Sequence, residues 1–341
     1  MDIQQALTII VDRQDLTAEQ MKAVMNQIMT GNATDAQIGG LLIALRMKGE
    51  AVAEITGAAE GMRALAIPVS VKAENAVDIV GTGGDDSNLF NVSSASSFVV
   101  AAAGGNVAKH GNRSVSSSSG AADLLEAAGV NLAITPEQVG RCIDEVGVGF
   151  MFAPQHHSAM KYAIGPRKEM GLRTLFNILG PLTNPASAKH YLLGVFDKSL
   201  CLPMAEALLA LGAKHALVVH ACDGLDELSL ATDSYVAELK DGAISEYTIN
   251  AVDAGLEVQS LDGLQVSSSA ESRALIEAAF AGDNMKAVDM IALNAGAALY
   301  AADLAEDLKA GVAKAKETIL SGAAAAKMKQ LADFTQAFKG E

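Results

Sequence analysis

The sequence is short of cysteine and of long apolar runs, and both absences exclude classes of protein. Only three cysteines occur in 341 residues (Cys142, Cys201 and Cys222), and they form no CxxC pair, so neither a disulfide framework nor a zinc cage is indicated. No apolar run approaches the roughly 20 residues of a membrane span. The N-terminus lacks the basic and then apolar segments of a signal peptide. We therefore expect a cytoplasmic protein that makes no use of a membrane.

Basic residues are also scarce, since 25 Lys and Arg face 40 Asp and Glu, a net charge of -15. A field of that sign argues against binding to nucleic acid through its phosphates. Acidic residues are in turn missing from two long stretches: none occurs in Ser87–Ala122, and Val146–Phe196 contains only Glu169. These stretches together carry seven Lys and Arg residues. We therefore expect a locally positive cleft that can take a small polyanion.

The hydrophobic content of 50% is that of a globular protein, and the length fits one large or two medium domains. Two capping boxes, Thr17-x-x-Gln20 and Thr34-x-x-Gln37, precede apolar residues at helical spacing, so residues 1–70 are predicted to be helical. From Val77 onward, short β-prone runs alternate with Ala-rich helical stretches, which is typical of an α/β domain over residues 71–341.

A glycine cluster, GTGGD at residues 81–85, follows the first predicted strand, 77–80. Glycines in such a loop let backbone N–H groups approach an anion closely. A dinucleotide fingerprint would need Gly where Asp86 stands, and a P-loop would need a Gly-Lys dipeptide, which the chain lacks. An ordinary tight turn remains the alternative interpretation, but the adjacent Asp85 and Asp86 favour a role toward a hydroxyl or a metal.

Two hydroxyl-rich segments follow, and both are predicted to be loops that bind an anion. The first, Asn91–Ser97, precedes an apolar helix from Phe98, whose N-terminus would favour phosphate. The second, Lys109–Gly120, adds two cations, an imidazole and an amide after a strand-like run at residues 106–108. Simple helix capping and a Ser-rich linker are the respective alternatives.

Farther along, Asp226 and Glu227 lie in a DGLDE loop (223–227) after a predicted strand at residues 217–220. Adjacent carboxylates suit Mg²⁺, which takes one or two carboxylates together with waters and phosphates. Ordinary surface acidity is the alternative. The neighbouring His156 and His157 diverge on either a helix or a strand, so packing or hydrogen bonding near the pocket is favoured over a metal site.

Five motifs in order resemble the anthranilate phosphoribosyltransferase family over essentially the whole chain. They are GTGGD (81–85), NVSS (91–94), KHGNRSVSS (109–117), RTLFNILGPLTNP (173–185) and DGLDE (223–227). The resemblance implies a small N-terminal helical domain and a large α/β domain with a central mixed sheet flanked by helices, of the nucleoside phosphorylase and phosphoribosyltransferase type. It also implies a hinge, a chain segment near residues 165–190 that returns to the helical domain, and a homodimer.

The implied activity is transfer of the phosphoribosyl group of phosphoribosyl pyrophosphate to the amine of anthranilate, in tryptophan biosynthesis, with Mg²⁺ and no covalent nucleophile. Gly81, Asn112 and Arg167 would contact anthranilate, and His110 and Pro181 would line its channel. Ser93, Asp226 and Glu227 would ligate Mg²⁺. The implied donor-binding residues are Gly81, Gly84, Asp85, Asn91, Val92, Ser93, Ser94, Lys109, His110, Gly111, Asn112, Arg113, Ser114, Val115, Ser116, Ser117 and Ala121.

Three positions depart from the family pattern. Ser118 stands where a basic residue is frequent, Leu89 where a hydroxyl residue is usual, and Ala121 where Ser is common. Each departure removes a side-chain contact and leaves backbone contacts available. The alternatives are a divergent relative of the same fold that acts as a nucleoside phosphorylase or binds nucleic acid. The phosphorylase loop reads differently from residues 80–85, and the net charge opposes nucleic acid.

Overall fold

A computed structural model describes residues 1–85, 87–114 and 118–340, and it contains a helical N-terminal part followed by an α/β part. The α-helices are α1 Ile3–Val11, α2 Ala18–Met29, α3 Asp35–Lys48, α4 Val52–Leu65, α5 Val92–Ala102, α6 Ala121–Ala127, α7 Pro136–Arg141, α8 Ala153–His156, α9 Lys161–Met170, α10 Phe176–Leu179, α11 Cys201–Ala210, α12 Ser269–Phe280, α13 Met285–Ala301, α14 Leu308–Leu320 and α15 Ala323–Ala337. The strands are β1 Val77–Gly81, β2 Val107–Gly111, β3 Val148–Phe152, β4 His190–Gly194, β5 His215–Ala221, β6 Ser234–Lys240 and β7 Ala243–Ile249.

The N-terminal helices begin where their capping residues predict. Thr17 and Thr34 accept hydrogen bonds from the backbone N–H groups of Gln20 and Gln37, and both capping boxes are complete, so these two predictions are confirmed. Helix α9, which lies far along the chain, packs against α2 and α3. The predicted division at residue 70 and the predicted return near 165–190 stay predictions.

One mixed sheet of seven strands runs through the described residues, in the order β3-β2-β1-β4-β5-β6-β7. Strands β1 to β5 are parallel, and β6 and β7 extend the sheet as an antiparallel hairpin. The chain moves outward from β1 to β3 and then returns to the other side of β1 with β4. Ligands of open α/β sheets bind at such reversals, beyond the carboxyl ends of the strands.

Both faces of the sheet are buried except at β7, which is largely exposed. Neighbouring residues of one strand enter different cores. Ile79 of β1 belongs to the core formed with α5 and α13, whereas Val80 belongs to the core that is shared with the N-terminal helices. The fold class is therefore the predicted one, a small helical domain on a large α/β domain. No helix among the described residues is long and apolar enough to cross a membrane.

Two predicted boundaries are wrong, and tertiary contacts explain both. Helix α5 begins at Val92 rather than at Phe98, because the serines that were assigned to a loop are buried in its first turns. Strand β2 continues to Gly111, so Lys109 and His110 are strand residues rather than loop residues. The Lys109 side chain and the His110 backbone N–H replace missing ladder contacts between β1 and β2.

Backbone pairing between β1 and β2 is limited to one residue pair, Val77 opposite Val107, whereas β1 pairs with β4 over five residues. The two strands nevertheless stay neighbours, and side chains supply further hydrogen bonds between them. The buried carboxylate of Asp78 accepts hydrogen bonds from the His110 N–H (3.1 Å) and from Asn184 Nδ2 (2.7 Å), and Asn184 Nδ2 also donates to the Ala108 carbonyl. Lys109 Nζ donates to the Ile79 carbonyl at 2.5 Å. Buried backbone groups are thus satisfied without a continuous ladder.

Burial raises the pKa of Asp78 from its ordinary 3.8 to about 6, although Asn184, Lys109 and backbone N–H groups oppose the shift. The folded protein therefore holds this proton more tightly than the unfolded chain, and ionisation of Asp78 costs stability as the pH rises from about 4 to about 6. Relative to Asp78→Asn, the wild-type free energy of unfolding should be about 2 kcal/mol lower at pH 7 than at pH 4. Urea unfolding at both pH values measures this, and a constant difference between the two proteins would contradict it.

Candidate active site

The carboxyl ends of β1, β4 and β5 meet at one edge of the sheet, where glycines let the loop after β5 cross the neighbouring strands. A Cβ atom on Gly194 would lie 1.4 Å from the Asp226 carbonyl oxygen, and one on Gly81 would lie 2.2 Å from Asp226 Oδ2. The contact at Gly194 is with backbone and excludes any side chain there, whereas a side chain at Gly81 would displace the Asp226 carboxylate. Asp226 is thereby placed directly over the end of β1.

Two carboxylates of this loop join the glycine cluster to helix α5. Asp226 Oδ2 accepts a hydrogen bond from the Gly83 N–H at 2.7 Å, and Glu227 Oε1 accepts one from the Ser93 N–H at 3.1 Å. Lys109 Nζ lies 3.3 Å from Ser93 Oγ. Four of the motifs singled out in the sequence therefore contact one another in the fold.

Electrostatic repulsion is built into this cluster. Burial, followed by the charge of Asp85, raises the pKa of Asp226 to about 6. Burial and the charges of Asp226 and Asp85 raise the pKa of Glu227 well above its usual value. Burial lowers the pKa of Lys109, against the attraction of Asp78, Glu227 and Asp226. A cation bound here would relieve the repulsion between the carboxylates.

The donor set fits Mg²⁺ that is shared with a ligand rather than held by the chain alone. Among residues 1–85, 87–114 and 118–340, no group of three or more His, Cys, Asp or Glu side chains is assembled to hold a metal. Asp226, Glu227 and the Ser93 hydroxyl offer hard oxygen atoms, which Mg²⁺ prefers, and phosphates and waters normally complete its shell.

The start of α5 carries polar side chains that do not cap the helix. Its N-cap residue, Asn91, makes no capping hydrogen bond with its side chain. Asn91 is instead tied to Ser119 and Ser272, by contacts of 2.7 to 3.0 Å. Ser94 Oγ is buried and has no hydrogen-bond partner in the part of the chain that the structure describes. The dipole of such an N-terminus favours an anion, although the Val92 N–H already donates to the Phe90 carbonyl and the Ser93 N–H to Glu227.

The glycine loop is held from the opposite side by Arg173. Gly83 and Gly84 have φ of +67° and +82°, a conformation that side-chain-bearing residues rarely adopt. Arg173 donates to the Gly84 carbonyl and stacks over the Phe196 ring at 4.5 Å, and Arg46 of α3 donates to the carbonyl of Arg173. A chain of contacts thus leads from the helical domain to the glycine loop. The motif at residues 173–185 contains Arg173, but the sequence alone suggests no role for it.

The expected positive cleft is only partly present, because some cations are paired within the chain. Arg113 forms ion pairs with Asp123 (3.0 Å) and Glu126 (2.6 Å) and lies over the Phe152 ring. Both acids follow directly after the acid-free stretch, so counting charges within that stretch overlooked them. Lys109 is likewise surrounded by carboxylates.

The loop after β2 is placed by its own backbone and by α6. The Asn112 carbonyl accepts from the Ala122 N–H, and Asp123 accepts from the Ser114 N–H at 3.1 Å. Gly111 ends β2 and Ala121 begins α6. Val115, Ser116 and Ser117, which belong to the predicted donor site, lie outside the described residues.

Two of the three departures from the family pattern are occupied by contacts within the chain. Ser118 holds the end of the loop, since its N–H donates to Asn88 Oδ1 (3.2 Å) and its Oγ donates to the Val266 carbonyl (2.8 Å). Leu89 packs against the core that β1 forms with α5 and α13. Neither side chain is available in this arrangement for a charged ligand.

Neutral histidines lie on the side of the site that is formed by the Gly180–Pro181 segment. His110 Nδ1 lies 3.1 Å from the Gly180 carbonyl oxygen, and its ring centroid lies 5.1 Å from that of His157. Burial lowers the pKa of His110 to about 3 and that of His157 to about 4. Both Nε2 atoms are buried without a hydrogen-bond partner among the described residues. Pro181, also buried, follows Gly180.

Arg167 adds a cation to this side. It lies on α9, half-buried, with its guanidinium 5.3 Å from the Phe176 ring centroid. Burial lowers its pKa, and no ion pair with a carboxylate is formed within the described chain. Phe176 and Gly180 belong to one short segment, which therefore connects Arg167 to His110.

Comparison with known proteins agrees with this arrangement. Residues 73–325 match the model of the glycosyl transferase family a/b domain, and residues 4–66 match that of the helical bundle domain of the same family. The chain is 63% identical to the anthranilate phosphoribosyltransferase of Hahella chejuensis over 100% of both chains. It is 61% identical to that of Stutzerimonas stutzeri over 100% of this chain and 99% of the relative.

Solved structures give the same result. The anthranilate phosphoribosyltransferase of Thermus thermophilus superposes with a TM-score of 0.92 at 42% identity, covering 97% of this chain and 99% of that one. The enzyme of Saccharomyces cerevisiae in complex with PRPP and Mg superposes with a TM-score of 0.87 at 25% identity, over 98% of both chains. The chain therefore belongs to the anthranilate phosphoribosyltransferase family.

Proposed function

We propose that this protein transfers the phosphoribosyl group of phosphoribosyl pyrophosphate to the amine of anthranilate, with release of pyrophosphate, as a step of tryptophan biosynthesis. The observation that carries the proposal is the contact of Asp226 and Glu227 with the glycine loop and with the start of α5, through Gly83 and Ser93. This arrangement puts oxygen ligands for a cation beside two groups of backbone donors for an anion. Family membership supports the choice of substrates.

The donor would lie at the carboxyl ends of β1 and β2, beside the glycine loop. Backbone N–H groups of the glycine loop and of the α5 N-terminus would receive its phosphates. Lys109, which is buried beside Ser93, would add a positive charge. The proposed donor-binding residues remain Gly81, Gly84, Asp85, Asn91, Val92, Ser93, Ser94, Lys109, His110, Gly111, Asn112, Arg113, Ser114, Val115, Ser116, Ser117 and Ala121.

Ser93, Asp226 and Glu227 would hold Mg²⁺ together with the donor's oxygens. Bound there, Mg²⁺ would neutralise charge on the pyrophosphate as it leaves. The residues fit that role, because burial and nearby carboxylates raise both pKa values: Asp85 acts on Asp226, and Asp226 and Asp85 act on Glu227. The yeast relative's complex with PRPP and Mg supports the same proposal.

Anthranilate would enter on the side of the neutral histidines. Arg167 would bind its carboxylate, since this guanidinium has no carboxylate partner among the described residues, and Asn112 and Gly81 would complete the contacts. His110 and His157 carry no charge at neutral pH, because their pKa values lie near 3 and 4. The channel walls would thus neither compete with Arg167 for the carboxylate nor protonate the amine.

The reaction that fits is a direct displacement at the anomeric carbon. The bond from that carbon to the pyrophosphate oxygen breaks, the bond to the anthranilate nitrogen forms, and the nitrogen releases one proton. The chain's contribution would be alignment of the two substrates and stabilisation of the departing charge by backbone N–H groups. Closure of the helical domain over the site would keep out water, which otherwise hydrolyses the donor.

We further propose that the chain works as a homodimer in the cytoplasm, with a helical domain over residues 1–70 and an α/β domain over 71–341. Helix α9 would be the part of the returning segment that completes the helical domain, because it packs against α2 and α3. A hinge between the two domains would then lie close to Arg173, whose carbonyl accepts from Arg46 of α3.

The activity is tested by fluorescence, since anthranilate is fluorescent. Anthranilate emission should fall with time when the protein, Mg²⁺ and phosphoribosyl pyrophosphate are mixed, and omission of any one component should abolish the fall. The chain contains no tryptophan, so excitation at long ultraviolet wavelengths reports on the substrate alone. A folded protein that leaves the emission constant would refute the proposed function.

The acceptor assignment is tested by Arg167→Ala. Loss of a charge-assisted hydrogen-bonded pair with the substrate carboxylate should raise KM for anthranilate roughly 10- to 100-fold and leave KM for the donor within about twofold. Lys168→Ala is the matched control, because Lys168 is the next residue of α9 and is exposed. Equal effects of Arg167→Ala on both KM values would remove Arg167 from the anthranilate site.

The metal assignment is tested by the double variant Asp226→Asn and Glu227→Gln. Neutral amides bind Mg²⁺ more weakly than carboxylates do, so the Mg²⁺ concentration for half-maximal activity should rise at least about tenfold. Asp233→Asn is the control, since Asp233 is an exposed acid of the same loop region. Unchanged Mg²⁺ dependence in the double variant would show that the metal is held elsewhere.

A further inference from the structure

The loop that carries Asp226 and Glu227 has almost no backbone support of its own. Across the part of the chain that the structure describes, residues 226–228 form no hydrogen bond from backbone to backbone. The two carboxylates point to Gly83 and Ser93, both of which belong to the proposed donor site. Something else must therefore fix where this loop runs when Mg²⁺ takes those carboxylates and the donor takes the N–H groups that pair with them.

The side chain of Asn294 provides that support. Asn294 Oδ1 accepts from the Leu228 N–H at 3.0 Å, and Asn294 Nδ2 donates to the Leu228 carbonyl at 3.1 Å. The same Nδ2 donates to the Met290 carbonyl at 3.1 Å, one turn earlier in α13. The amide is 1% exposed, so these hydrogen bonds do not compete with water. An amide is the group that pairs with both the N–H and the C=O of one residue.

Helix α13 is itself held rigidly. It is buried along nearly its whole length, and it crosses α14 so closely that a Cβ atom on Gly296 would lie 2.4 Å from the Val312 backbone nitrogen. It also packs against α5, where Ser96 Oγ donates to the Ile291 carbonyl at 3.4 Å. One helix therefore supports both α5, which carries Ser93, and the loop with Asp226 and Glu227.

We propose that Asn294 is a positioning residue for the metal-binding carboxylates: by gripping the Leu228 backbone it holds Asp226 and Glu227 at the distance from Ser93 at which one divalent cation can contact all three. The inference rests on the proposed function, because it takes these residues as the Mg²⁺ ligands. Residues that orient metal ligands are commonly worth 10- to 100-fold in metal affinity. Asn294 touches neither substrate nor metal in this scheme.

The test compares Asn294→Leu with Asn284→Ala in the full-length protein. Leucine resembles asparagine in size and removes all three hydrogen bonds of the Asn294 amide. Asn284 caps the N-terminus of the same helix by accepting from the Ala287 N–H, so its replacement weakens α13 without touching the loop. Binding of Mn²⁺ in the presence of pyrophosphate, followed by the electron paramagnetic resonance signal of free Mn²⁺, reads metal affinity without any turnover.

Asn294→Leu should raise the Kd for Mn²⁺ at least about tenfold and should raise the Mg²⁺ requirement of the reaction in parallel, with KM for anthranilate unchanged. Saturating Mg²⁺ should restore most of kcat. Asn284→Ala should match wild type in all three measurements. If Asn294→Leu does not fold, Asn294→Ser, which leaves room for a water molecule, is expected to show the same increase.

The outcomes separate this inference from the proposed function. A folded wild-type protein that binds no Mn²⁺ with pyrophosphate would overturn the metal site itself. Tight binding by wild type, with equal Kd values for the Asn294 and Asn284 variants, would overturn only the role of Asn294. Loss of anthranilate affinity together with metal affinity would show a general structural role and would likewise reject the inference.

Discussion

The side-chain hydrogen bonds between β1 and β2 are the constraint on which the site depends. The regular ladder between these strands covers only Val77 and Val107, so side chains hold the Lys109–His110 segment to β1. Asp78 and Asn184 bridge the two strands and satisfy the His110 N–H and the Ala108 carbonyl. Because Asn184 follows the Gly180–Pro181 segment closely, the same bridge also fixes the wall that touches His110.

The buried polar groups around these strands reduce the stability of the folded protein. Asp78, Asp226 and Glu227 all have raised pKa values, so burial opposes the ionised form of each. Of the described residues, Lys109 is the cation that lies among them, and burial lowers its pKa as well. Such a cluster is less stable than an apolar core of the same size, and joint binding of a divalent cation and a polyanion stabilises it.

The sequence was most informative where a residue type has few structural uses. Clustered glycines, adjacent carboxylates and an acid-free basic stretch each point to chemistry, and these motifs meet in the fold. Asp78 also carried a signal, since a carboxylate inside the apolar run V-D-I-V requires partners, but the identity of those partners depends on the tertiary fold. Nothing in the sequence pointed to a role for Asn294, because a single Asn in an Ala-rich helix is compatible with an ordinary buried position.

The predicted boundaries of α5 and β2 were wrong for a related reason. Four serines in seven residues favour a loop by local propensity, yet they form the first turns of α5. Ser97 donates to the Ser93 carbonyl one turn earlier, and Ser96 donates to the Ile291 carbonyl of α13, a partner that only the packed fold supplies. Arg113 shows the same limit for charge, because its partners Asp123 and Glu126 begin just where the acid-free stretch ends. Local patterns thus located the chemistry, while long-range contacts decided which charges stay available.

Helix α9 has a consequence for how the chain is made. About 95 residues separate the end of α4 from the start of α9, which packs against α2 and α3. At roughly 5 to 20 residues per second, a ribosome needs on the order of 5 to 20 s to synthesise that interval. For that time α2 and α3 lack the partner that α9 provides, and the apolar surface that it covers stays exposed. The packing of these first helices is therefore completed late in translation.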